Sequence, residues 1–330
     1  MSPLLVAVAD SVFPNLDVAR EVLSAIGAQV QLAPEPTPEA IVRAAAGADG
    51  LLVTYAKITA DMIAQMPKCR VISRFGIGVD NVDLDAATRA GIVVTKVPDY
   101  CLDEVSDHAV ALLLALVRKI PASSAHVHAG RWEMKAVVPI HRLRGTVLGL
   151  VGFGRIPQLV APKAQAFGIK VIASDPFVPA EVFARDGVER VEFAELLRTS
   201  DYVSIHTPLL PETRGLFNAD VFRAMKPGAY LVNTARGPIV DDVALAQALD
   251  EARLAGAALD VMPQEPPNNS PLLGRENVII TPHTSFYSEE SLLELQRKAA
   301  EEVVAVLSGR PPRNPVNPEA LQTSKPGVQA

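Results

Sequence analysis

A chain of 330 residues is long for one compact core and predicts two domains of ordinary size. Apolar residues make up 49% and charged residues 21%; the formal charge is −6 with no lysine–arginine run, which argues against nucleic-acid and anionic-membrane partners. The two cysteines, Cys69 and Cys101, supply neither a disulfide framework nor metal-ligand spacing, so no metal site is expected.

Residues 4–9 are apolar, lack a basic flank and stop at Asp10, which reads as a first strand rather than a signal peptide. Short apolar runs at 29–32, 50–54, 71–73 and 92–95 predict four more strands. Between the first two strands Leu16, Ala19, Leu23 and Ile26 recur at helical spacing, with Gly27 as the stop. From about Asp103 the character changes. Residues 109–117 are an unbroken run of Val, Ala and Leu, read as a helix buried all round. The segment 101–142 carries more apolar surface than one strand–helix–strand unit needs, and Trp132, the only tryptophan, reads as an interface or core anchor. A second alternating series follows, with strands expected at 146–151, 170–173, 202–205, 229–233, 257–259 and 278–280. Asp242 is placed to cap the helix that carries Leu245, Ala248, Leu249 and Ala252. A final amphipathic helix at about 288–307 ends before Gly309 and Pro311.

The expected fold class is therefore α/β: two doubly wound parallel-sheet domains of Rossmann or flavodoxin-like type with a cleft between them. One is discontinuous, residues 1–100 plus 288–330; the other is 101–287. No apolar run approaches the roughly eighteen residues of a membrane span, and a cytoplasmic location is expected.

The strand at 146–151 runs into Gly152, Gly154 and Pro157, where a dinucleotide-binding turn would place three glycines. Gly152 permits the tight turn, and Gly154 lets backbone N–H groups approach phosphates at a helix N-terminus. The third glycine serves helix-on-strand packing, and proline there removes only an N–H that the first helical turn leaves unpaired anyway. Pro157 is thus read as a packing variant. Asp175 lies 21 residues beyond Gly154, near the spacing of an acid that binds both ribose hydroxyls of NAD. Pro176 and Phe177 follow it instead of a basic residue, favouring NAD over NADP. A ligand-free strand-to-helix turn with a solvated acid would satisfy the same pattern.

Three later strands end in reactive side chains: Arg236, the pair Asp260 and Glu265, and His283. In doubly wound sheets ligands sit beyond the carboxyl ends of strands. There an arginine can pin a carboxylate, and a histidine beside a carboxylate can pass protons. Taken singly, each also fits a surface ion pair, a loop acid or a strand-end histidine. His126 and His128 stand two apart without nearby acids, which does not make a metal site.

Together the 152–157 turn with Asp175, the Asn233–Arg236 motif with its following glycine, the stretch from Asp260 to Glu265 and Pro266, and Pro282 with His283 resemble the D-isomer-specific 2-hydroxyacid dehydrogenases. That family includes phosphoglycerate dehydrogenase, glyoxylate/hydroxypyruvate reductase and corepressor branches. The likeness runs from Gly50 to about Pro315 and includes the Arg74–Asn81 and Val97–His108 stretches. The resemblance implies an NAD-dependent oxidoreductase that interconverts a small 2-keto acid and its D-2-hydroxy acid. His283 would be the acid/base, Glu265 its pKa-raising partner and Arg236 the substrate anchor. It further implies that Gly152, Gly154, Arg155, Ile156, Asp175, His206, Thr207, Pro208, Thr213, Thr234, Ala235, Arg236, Asp260, His283 and Ser285 line the cofactor site. Gly76, Ile77, Gly78, Val79, Arg236 and His283, with Tyr55 on the side-chain end, would meet the substrate. The segment 101–142 resembles the family's dimerisation arm and implies a homodimer. Two departures bear on the substrate. Lys57 stands where phosphoglycerate enzymes tend to carry an arginine-bearing segment, and Phe286 and Tyr287 look more like the corepressor branch. An NAD-sensing corepressor-like protein and a serine-pathway phosphoglycerate dehydrogenase are the alternatives.

Overall fold

The computed structural model describes residues 3–323, which divide into two compact units. One runs up to Tyr100 and resumes at Ser288; the other is Cys101–Tyr287.

The first unit is built on a five-stranded, wholly parallel sheet in the order β2-β1-β3-β4-β5. Its strands are β1 (Leu5–Val8), β2 (Gln29–Leu32), β3 (Gly50–Val53), β4 (Val71–Arg74) and β5 (Val93–Thr95). The helix Asp17–Ser24 closes with Gly27 at φ +66°; the Gly27 N–H donates to Ser24 and the Ala28 N–H to Leu23, a left-handed cap. The C-terminal helix Glu289–Leu307 buries Leu292, Leu295, Ala299 and Val303 along one stripe. Its Ser288 and Ser291 form a reciprocal cap. The helix lies against β3 and β4. A Cβ at Gly50 would stand 3.3 Å from Val303, and Ser73 donates to the Ala299 carbonyl at 3.0 Å. Buried Gln296 ties the same helix to the N-terminal one, accepting from the Ala19 N–H and donating to the Asn15 carbonyl.

The second unit holds seven parallel strands in the order β12-β11-β10-β9-β6-β7-β8. They are β6 (Val147–Val151), β7 (Lys170–Ser174), β8 (Glu189–Arg190), β9 (Tyr202–Ile205), β10 (Ala229–Asn233), β11 (Leu254–Leu259) and β12 (Val278–Ile280). Strand order reverses around β6, which is flanked by β7 and β9, the arrangement that opens a ligand crevice at the carboxyl edge.

Four expectations need correction. The two-residue edge strand β8 has exposed, charged side chains and carries no apolar signal. The helix Leu102–Val117 is not buried all round: Ala111 faces solvent and Leu114 and Ala115 are half-buried, because the helix packs on the sheet and on the helix Arg155–Ala166 and leaves only a narrow side open. The cap of helix Asp242–Asp250 is Asp241, whose carboxylate accepts the Val243 and Ala244 N–H groups; Asp242 is already inside the first turn. Trp132 is 87% exposed, so it anchors no core within its own unit. Among the described residues no single helix is long and apolar enough to cross a membrane.

Candidate active site

Because every strand of the second sheet is parallel, the loops after β6, β7, β9, β10, β11 and β12 leave from one edge. Those loops, with the first turn of the helix Arg155–Ala166, hold all the cofactor-site residues named from sequence, and the three strands followed by Arg236, Glu265 and His283 are immediate neighbours.

Gly152 sits at φ +91°, and a Cβ there would come within 3.1 Å of the His206 backbone carbonyl. Both facts demand glycine. Gly154 caps the helix Arg155–Ala166, and a Cβ built on it meets nothing within 4 Å, so the helix N-terminus faces open space. Arg155 is exposed there and Ile156 half-buried. Pro157 is buried in the first turn, where no backbone N–H partner is lost. Proline recurs at Pro162 with its ring toward solvent, and the helix nonetheless continues to Ala166. The Asp175 carboxylate accepts N–H groups from Phe153 and Phe177, each at 2.8 Å, and from Val178 at 3.2 Å, which fixes its plane.

Thr207 Oγ1 and Thr234 Oγ1 are buried without a hydrogen-bond partner among the described residues. Buried hydroxyls are rarely left so, and both lie in loops on the ligand edge. An open helix N-terminus, an oriented acid and two orphaned hydroxyls fit a dinucleotide. Beside Thr207, burial lowers the His206 imidazole to about 3, and its Nε2 lies 2.9 Å from Ser204 Oγ. Thr213 shapes the next loop: its hydroxyl donates to the Pro208 carbonyl and accepts the Leu210 N–H.

Asn233, fully buried at the end of β10, accepts the Ala235 N–H and donates to the Arg236 carbonyl, so it builds the turn that carries the arginine. Arg236 Nη1 donates to the Ala235 carbonyl at 2.8 Å. The next residue, Gly237, packs so tightly that an added Cβ would strike the Met262 carbonyl carbon at 1.9 Å. Thus the arginine loop rests directly on the loop that leads to Glu265.

Glu265 Oε2 lies 2.8 Å from His283 Nδ1, while Oε1 accepts the Met262 N–H at 2.9 Å. Burial works to raise the Glu265 carboxyl, but the hydrogen bond and charge of His283, with the Met262 N–H, outweigh it and hold the group below its ordinary range. An ionised Glu265 keeps the proton on Nδ1, leaving Nε2 as the working nitrogen. His283 itself is held at φ +54°, a left-handed conformation uncommon for a side chain of this size. Phe286 lies edge-on to its ring, centroids 6.2 Å apart.

Beneath this pair is Asp260, 1% exposed. Its carboxylate accepts Thr281 Oγ1 at 2.6 Å and the Thr284 and Ser285 N–H groups at 2.9 Å, and its carbonyl accepts the His283 N–H. These donors outweigh the effect of burial and keep the group below the usual carboxylate range. Asn233 stood in the sequence only as the first residue of a motif, with no role, and Thr281 was not singled out; a polar residue closing an otherwise apolar strand was the available signal.

In the first unit, Gly76 adopts φ +149°, and the space a Cβ would need is filled by the Arg74 guanidinium, 1.1 Å from that position. The Arg74 charge therefore lies against the 76–79 loop, whose Ile77, Gly78 and Val79 are half-buried. Tyr55 is 43% exposed on a loop held from two sides. Asp10 accepts the Thr54, Tyr55 and Ala56 N–H groups, and Asn81 donates to the Thr54 and Ala56 carbonyls.

A doubly wound sheet with a glycine turn, an acid at the end of the next strand and a carboxylate-paired histidine defines a nicotinamide-dinucleotide protein. The chain belongs to the D-isomer specific 2-hydroxyacid dehydrogenase family, whose NAD binding domain matches residues 110–285. It is 39% identical over 316 residues to a D-3-phosphoglycerate dehydrogenase of Methanocaldococcus jannaschii, covering 95% of this chain and 60% of that protein. The chain thus spans about three-fifths of the length of the curated relatives it matches. Among solved structures it resembles a glyoxylate reductase from Paecilomyes thermophila, with TM-score 0.88, 26% identity and coverage of 96% and 99%. It also resembles a D-lactate dehydrogenase from Aquifex aeolicus complexed with NAD and lactic acid, with TM-score 0.83, 27% identity and coverage of 99% of both chains.

Proposed function

We propose that this chain is an NAD-dependent oxidoreductase that interconverts a small 2-keto acid and its D-2-hydroxy acid. The observation that carries the reading is the 2.8 Å contact between His283 Nδ1 and Glu265 Oε2 at the sheet edge that also bears the dinucleotide turn. The 152–155 turn would hold the pyrophosphate on backbone N–H groups, Asp175 the ribose, and Thr207 and Thr234 the remaining polar edge. When bound, NADH supplies the hydride. His283 Nε2 delivers the proton to the substrate carbonyl oxygen, with Glu265 holding Nδ1–H and offsetting the imidazolium charge. Arg236 pins the substrate carboxylate and polarises the carbonyl, and the 76–79 loop offers N–H groups to the same carboxylate. Tyr55 and Phe286 bound the side-chain end of the substrate. Exposed Ile120, Val127, Trp132, Met134 and Val138 support a homodimer through the 101–142 segment.

A second reading, D-3-phosphoglycerate dehydrogenase, draws support from the names of the curated relatives; Lys57 would then be a phosphate partner. A screen of NADH oxidation over glyoxylate, hydroxypyruvate, phosphohydroxypyruvate and bulkier keto acids distinguishes the two. His283→Ala should lower kcat by about 10² to 10⁴ and leave NADH binding nearly intact, as removal of a general acid does. An inert panel, or unchanged turnover in that variant, refutes the proposal.

A further inference from the structure

His108 lies in the helix Leu102–Val117 on the same face as buried Val105, Leu112 and Leu116, an apolar stripe in which an imidazole has no packing advantage. Its Nε2 reaches across to Thr281 Oγ1 at 3.1 Å and stands 3.6 Å from Asp260 Oδ1, whose side chain is fully buried. The hydroxyl of Thr281 has one proton, and the 2.6 Å contact commits it to Asp260. Thr281 Oγ1 therefore offers His108 only lone pairs, and Nε2 must be the donor.

We propose that His108 is a positioning residue for the reaction: its Nε2–H locks the Thr281 hydroxyl onto Asp260, and Asp260 in turn fixes the backbone that presents His283. The chain of contacts is continuous. His108 holds Thr281, Thr281 holds the Asp260 carboxylate, and that carboxylate holds the Thr284 and Ser285 N–H groups immediately after His283. The Asp260 carbonyl holds the His283 N–H itself. A left-handed residue persists only where its surroundings over-determine it, and this network supplies the determination. Lys163, by contrast, spends its contacts on the neighbouring Ser106 and Asp107, which tether the helix but do not reach the loop. The catalytic part of this inference rests on the assignment of His283 as acid/base; the structural part does not.

The test compares His108→Met, of similar bulk without a donor, with His108→Gln, which retains an N–H at similar reach. In ligand-free protein, amide hydrogen exchange at Thr284 and Ser285 should quicken about tenfold in His108→Met, the loss of roughly one hydrogen bond's local protection, with the amides of β6 unchanged. His108→Gln should restore exchange to near the wild-type rate. In turnover with the preferred keto acid, His108→Met should lower kcat about three- to tenfold with KM and the NADH Kd within twofold, since the loss falls on orientation and not on binding. Thr281→Val should reproduce the exchange phenotype, and adding His108→Met to it should change nothing further. Wild-type exchange at both amides in His108→Met, or a Gln variant indistinguishable from Met, overturns the proposal. If His283→Ala keeps full turnover, the functional reading fails alone, and the exchange experiment still decides the role of His108.

Discussion

Asp175 has one job in the structure and a second in the proposed reaction, and they separate experimentally. It accepts three backbone N–H groups and so shapes the turn, and under the proposed function it also binds the ribose. If the second job dominates ligand choice, Asp175→Ala should weaken NAD at least about tenfold, the value of lost charge-assisted hydrogen bonds, while NADP binding changes little. Calorimetric titration with both nucleotides measures this; equal losses would assign Asp175 to the turn alone. His206 gives a pH signature. Burial depresses its folded-state pKa from 6.5 to about 3, so below pH 6.5 the unfolded chain binds the extra proton. That contribution to stability is fully present above about pH 6.5 and is lost progressively as pH falls toward 3. The slope is moderated by the residue's partial solvent contact. His206→Gln should flatten the fall in unfolding midpoint between pH 7 and 5, read by thermal melts; an unaltered slope refutes the assignment.

At the level of elements, polar side chains decide which helix lies where. Gln296 satisfies the N–H of Ala19, a residue with no exposed surface. Gln296→Leu keeps the bulk but orphans that donor and should cost about 1–3 kcal/mol in chemical denaturation. A variant as stable as the parent would show that the contact contributes nothing. Such contacts explain what sequence could and could not reveal. The strands were legible because parallel, doubly covered strands such as β1, β3 and β6 are continuous runs of apolar residues and glycine. The glycine turn was legible because spacing alone constrains it. Strand β8 and the Asp241 cap were not: the first is polar and two residues long, and for the second adjacent acids compete. His283 and Glu265 stood out as reactive residues after strands, yet their 2.8 Å contact depends on a left-handed residue that no local pattern announces. Thr281 and His108 were invisible as a pair because 173 residues separate them.

The whole molecule consists of one continuous unit, Cys101–Tyr287, inserted into a discontinuous one. Residues from Ser288 onward return to the first unit and complete it. Helix Glu289–Leu307 covers β3 and β4, and Asn317, 2% exposed, accepts the Val94 N–H and donates to the Ile92 carbonyl beside β5. Glu302, also buried, accepts from Arg313 and Asn314. Deleting the chain after Tyr287 should therefore abolish cooperative unfolding of the first unit and leave the amides of β6, β9 and β10 protected. Protection retained in β3 and β4 of the truncated chain would refute this.

That return path orders events during synthesis. On the ribosome the second unit has every residue of its sheet while the first still lacks its covering helix, so the earlier-made half must wait for the later-made half to finish. Val71 and its neighbours then remain exposed to mispairing throughout translation of nearly two hundred further residues. Slowing or stalling elongation just before codon 288 should raise aggregation of nascent chains in proportion to the pause.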